Sequence, residues 1–99
     1  MKAKGHERMS KYVIERTMPG AGNLSADELR AASAMSNEVI AAMSPRVTWQ
    51  QSYVTDDKIF CVYIAEDVDA VREHARLAGL PADAIHAVGA VIDPATGRA

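Results

Sequence analysis

Residues 11–17 alternate: Tyr12 and Ile14 fall on one side, Val13, Glu15 and Thr17 on the other. A period of two is the pattern of a strand. After Pro19-Gly20-Ala21-Gly22-Asn23, a loop punctuated by proline and glycine, the period changes. Leu29, Ala32, Met35 or Ser36, Val39, Ile40 and Met43 recur at helical spacing. Ser25 with Glu28 forms a capping box ahead of them, and Leu24 stands where a hydrophobic staple would. Ser44-Pro45 ends this helix, because proline lacks the amide hydrogen and restricts the residue before it.

The period of two then returns over Trp49-Gln50-Gln51-Ser52-Tyr53-Val54 and Ile59-Phe60-Cys61-Val62-Tyr63-Ile64, predicting a hairpin closed at Asp56-Asp57-Lys58. On its second strand Phe60, Val62 and Ile64 share one side, and Ile59, Cys61 and Tyr63 the other. The first side is purely apolar and is expected to face the core. The second mixes apolar bodies with groups that can donate, accept or bind metal. Glu66-Asp67 opens a second helix with the acidic residues its dipole favours. Val68, Val71, Ala75 and Ala78 form its apolar stripe, and Gly79 closes it. A last strand is predicted over Ala84 to Asp93. Residues 1–10 lack periodicity and read as a flexible tail, residues 11–96 as one domain, and residues 97–99 as a short C-terminal tail.

The order β-α-β-β-α-β predicts an α+β, ferredoxin-like sandwich. Four antiparallel strands form its sheet, and right-handed crossovers put both helices on one face. The other face is bare and, if it carries Trp49 and the tyrosines, too apolar for water. A homodimer pairing two such faces is therefore expected.

Composition narrows the class. The 99 residues carry a net charge of −2 with both signs interspersed, which excludes the basic stripe of a nucleic-acid binder. A single cysteine forms no internal disulfide, and no apolar run reaches the ~20 residues of a membrane helix or forms the core of a signal peptide. A cytoplasmic protein is the expectation, without nucleic-acid or membrane partners.

Candidate chemistry is sparse. His74 borders the stripe of the second helix, where an imidazole serves as metal ligand, as proton carrier, or as a buried group bonded to backbone. Glu15 in mid-strand reads as a ligand or as half of an ion pair across the sheet. Cys61, inside a strand, reads as a ligand or as a small buried hydrophobe. Tyr53, Tyr63 and Trp49 are candidates for a pocket wall, with cross-strand and interface packing as the alternatives. His86 on the last strand and His6 in the tail read as solvated, with incidental metal contact open to either. No CxxC, HxH or HExxH spacing exists, and Pro19-Gly20-Ala21-Gly22 lacks the lysine of a phosphate-binding loop.

Five blocks carry a resemblance: 13–22 (VIERTMPGAG), 24–26 (LSA), 49–54 (WQQSYV), 61–65 (CVYIA) and 72–75 (REHA). In this order they resemble a family of small bacterial proteins, named as a domain of unknown function, that includes a nickel-binding member. The similarity runs from about Lys11 to Thr96; Glu66-Asp67 departs from the Ala-Pro that the family pattern implies. The resemblance implies the ferredoxin-like sandwich, a homodimer and Ni2+ binding, with no established reaction. Imidazole, thiolate and carboxylate all suit Ni2+, so His74, Glu15 and Cys61 form the expected donor set. If Phe60 and its neighbours face the helices, Cys61 faces away from His74, and His74 with Glu15 is the better pair. The expected function is a metal-binding protein, for nickel sequestration or delivery rather than turnover. The alternative is a dimeric α/β-barrel-type enzyme or binding protein for a small molecule, with His74 as acid or base. A plain dimerising module is a third reading.

Overall fold

A computed structural model describes residues 9–98. Strand β1 spans Ser10–Thr17, helix α1 Ala26–Met43, β2 Val47–Val54, β3 Lys58–Ala65, α2 Val68–Ala78 and β4 Ala84–Ala87. The strands form one antiparallel sheet in the order β2-β3-β1-β4. Both helices cover the same face, which is the ferredoxin-like arrangement expected from the element order. No helix among the described residues is long and apolar enough to cross a membrane.

The local signals act as their chemistry dictates. Ser25 Oγ accepts from Glu28 N at 3.1 Å, while Ser25 N donates to Glu28 Oε1 at 2.8 Å, closing the capping box of α1. Asp67 caps α2 by accepting from Ala70 N at 2.8 Å. Gly79 ends that helix at φ 68°, a left-handed conformation that glycine adopts without steric cost. The loop after β1 docks on the hairpin turn: Gly22 N donates to the Asp56 carbonyl at 2.9 Å. A Cβ at Gly22 would lie 3.0 Å from Asp56 Cα, so any larger residue would push the hairpin turn away.

The pleat corrects one expectation. Phe60, Val62 and Ile64 do not face the helices; they lie half-buried on the open face. Cys61, Tyr63 and Ala65 are buried beneath α1 and α2, beside Tyr12 and Ile14 of β1 and Val47 of β2. Register enforces this, since Cys61 pairs with Ile14, Tyr63 with Tyr12, and Ala65 with Val47. The mixed side can face inward because its polar tips, Cys61 Sγ and Tyr63 Oη, both accept from Arg16 of β1, whereas the purely apolar side needs no such partners.

Two boundaries also shift. β4 ends at Ala87 rather than running to Asp93, because Ala87 already pairs with Tyr12 and β1 begins at Ser10. Residues 94–98 close in a short 3-10 turn, which takes up part of the expected C-terminal tail. At the other end Ser10 belongs to β1; His6 and residues 1–8 of the expected tail lie outside the described residues, as does Ala99.

Candidate functional site

The sheet separates the candidate residues into an interior group and an open-face group. Inside, α2 carries His74, which is fully buried in the stripe it was expected to border. Its Nε2 lies 3.2 Å from Ser36 Oγ of α1, and its ring is 5.0 Å from that of Tyr63 on β3. Nδ1 has no hydrogen-bond partner among the described residues. Burial, and then the charge of Arg16, push the His74 pKa down from 6.5 to about 4, so the imidazole is neutral at pH 7.

Arg16 is the residue that the sequence reading passed over. It is only 1% exposed, at the end of the alternation Tyr12, Ile14, Arg16. That alternation was the available signal, because it puts a cation on the face of β1 that carries two core residues. Nε donates to Cys61 Sγ at 3.4 Å and Nη2 to Tyr63 Oη at 3.2 Å, while Nη1 donates to the Pro81 carbonyl. All three acceptors belong to neutral residue types, and no carboxylate pairs with Arg16 among the described residues. Burial raises the Tyr63 pKa to about 12, with Cys61 adding to the rise and Arg16 opposing it, so this phenol keeps its proton.

Beside this cluster, between α1 and the sheet, lies a cavity of about 110 Å3. Arg16, Ser36, Cys61 and Tyr63 contribute polar groups to it, and Leu24, Leu29, Trp49 and Ile59 make it predominantly apolar. Trp49 Nε1 donates to Ser52 Oγ at 2.9 Å, which fixes the indole against the wall. Trp49 and Tyr63 thus both lie on the wall of this cavity. Tyr53 does not: it lies 55% exposed on the open face, paired with Phe60 and accepting from Gln51.

Glu15 also lies on the open face, with the sheet between it and His74. Oε2 is 2.5 Å from Lys58 Nζ on β3, and Oε1 is 3.7 Å from His86 Nε2 on β4. Lys58, by hydrogen bond and charge, holds the Glu15 carboxyl below its ordinary range, with a smaller effect from His86. The cross-sheet ion pair considered for Glu15 is therefore present. The structure brings His74 and Cys61 to one side and Glu15 to the other, so the expected pair His74–Glu15 is not assembled in one chain. Among the described residues no three His, Cys, Asp or Glu side chains gather as a metal site.

Comparisons with known proteins place these features in context. The family model described as "Nickel responsive protein SCO4226-like" matches residues 12–88. The crystal structure of SCO4226 from Streptomyces coelicolor A3(2) superimposes with a TM-score of 0.71 at 22% identity, covering 84% of this chain and 100% of that one. No curated protein matches the chain.

Proposed function

This chain belongs to the SCO4226-like family of nickel responsive proteins, and on that premise we propose that it binds Ni2+, for sequestration or delivery, as a cytoplasmic homodimer joined through its open sheet face. The observation that carries the reading is an imidazole and a carboxylate, His86 and Glu15, 3.7 Å apart on a sheet face that no helix among the described residues covers. Both are donors that suit Ni2+. Two donors are too few for a metal centre, and in a single chain the fit is incomplete. A two-fold dimer brings the same patch from each copy into apposition, which doubles the set to two imidazoles and two carboxylates. Half-buried Val13, Phe60, Val62 and Ile64 on that face, with exposed Tyr53, supply the apolar surface such a pairing needs.

The interior donors fit a cation less well. His74 is unprotonated and one nitrogen is unpaired, but Arg16 faces the same space and donates onto Cys61 Sγ. A buried guanidinium repels a divalent ion and occupies the sulfur, whereas the Lys58 ammonium paired with Glu15 is half-exposed and can turn to solvent. The pocket reading with His74 as acid or base gains the cavity, yet His74 does not line it and stands behind Ser36 and Tyr63.

Calorimetric titration of metal-stripped, tag-free protein with Ni2+ tests the proposal. One ion per two chains is expected, with His86→Ala and Glu15→Gln each weakening binding by about tenfold or more and His74→Ala leaving it intact. Unchanged affinity in both open-face variants would remove this site, and loss in His74→Ala alone would move it to the interior.

A further inference from the structure

We propose that the cavity beneath α1 binds a small apolar monocarboxylate, an aryl or short-chain organic acid, whose carboxylate pairs with Arg16 and whose body fills the apolar walls. This goes beyond nickel binding and uses the opposite face of the sheet.

Arg16 creates an electrostatic imbalance beneath α1. A buried cation is costly unless an anion or a full set of hydrogen bonds compensates it. Arg16 is 1% exposed and lines the cavity, yet its three bonds go to a thiol, a phenol and a peptide carbonyl. A guanidinium has five N–H groups; these bonds engage one on each nitrogen and leave one on each terminal nitrogen. Two N–H groups on adjacent nitrogens match the two oxygens of a carboxylate. Tyr63 accepts from Arg16, so its own hydroxyl hydrogen remains to donate to the same anion.

The remaining walls select the body of the ligand. Leu24, Leu29, Trp49 and Ile59 offer no charge, which disfavours a polyanion such as a phosphate ester and favours a hydrocarbon group. The volume of about 110 Å3 is of the order that admits one aromatic ring. Val54, on the cavity wall at the end of β2, is 42% exposed, so the cavity meets solvent there. Lysine could not replace Arg16 in this role, since a point charge would not hold three fixed acceptors and a planar anion together.

Trp49 is the only tryptophan and lies on the wall, so its fluorescence reports occupancy directly. Benzoate, added to nickel-free protein, should give a saturable change in emission. Benzyl alcohol, of similar shape without charge, should bind about tenfold or more weakly, and acetate, which has the charge without the body, should not saturate in the same range. Arg16→Met should abolish the preference for benzoate over benzyl alcohol. Equal affinity of the two probes for the wild-type protein, or no saturable change with benzoate, would overturn the proposal without recourse to a variant. Persistence of the preference in folded Arg16→Met would overturn it as well.

Discussion

Acidification between pH 8 and 5 should destabilise the protein through His74. In the unfolded chain its imidazole titrates near 6.5; in the folded state burial and Arg16 hold it near 4. Between those values the unfolded chain binds a proton that the folded protein refuses, so stability is complete above the unfolded pKa and falls as pH drops towards the folded one. Each pH unit in the window is worth about 1.4 kcal/mol. The expected loss is about 2 kcal/mol by pH 5, and about 3 kcal/mol once both states are protonated. Set against the 5–15 kcal/mol typical of a domain, 2 kcal/mol is a large share. Stopping at pH 5 matters, because Glu15 and Glu73 are both held below their ordinary range by ion pairs and titrate mostly lower. Urea unfolding of tag-free protein at several pH values, followed by Trp49 emission or circular dichroism, measures the slope. His74→Leu, which substitutes a neutral group of similar size, should flatten the curve in this window. An equal loss in His74→Leu between pH 8 and 5 would refute the assignment of the effect to the buried imidazole.

The other expected outcomes concern stability and assembly. Ser36→Ala removes the bonded partner of His74 Nε2 and leaves both ring nitrogens unsatisfied, so thermal or urea unfolding should show a loss of about 1–2 kcal/mol. Combined with His74→Leu the cost of Ser36→Ala should nearly vanish, since no buried imidazole remains to be satisfied. Gly22→Ala forces a Cβ against Asp56 Cα at 3.0 Å, and urea unfolding should show a cost of about 1–3 kcal/mol from displacing the hairpin turn. Val62→Lys places a charge at the centre of the open face; sedimentation should show a wild-type dimer and a folded monomeric variant, with a wild-type monomer at micromolar concentration counting against the dimer.

The chain's own pattern determined the elements, because their causes are local. The shift of period from 2 to 3.6 and back marks β1, α1 and the hairpin, Ser25 with Glu28 starts α1, and Asp67 and Gly79 bound α2. The order of those elements, with the handedness of their crossovers, then leaves one topology for the sheet. Periodicity also showed which residues of β3 share a face, but not which face turns inward. That choice follows from long-range pairing: Cys61 Sγ and Tyr63 Oη accept from Arg16 across the sheet, and Tyr63 packs on His74, contacts made only when all four are buried together. Composition favoured burying the apolar side, Phe60, Val62 and Ile64; the hydrogen-bonding partners of the mixed side outweighed it. The candidate site divides in the same way. His74, Cys61, Glu15, Trp49 and Tyr63 are individually legible as chemically able residues, yet 59 positions separate Glu15 from His74 along the chain, and no local signal says that the sheet lies between them. Arg16 and Ser36 acquire meaning only in three dimensions, because a buried charge with no carboxylate beside it among the described residues and an imidazole bonded at one nitrogen are properties of neighbours rather than of residue types.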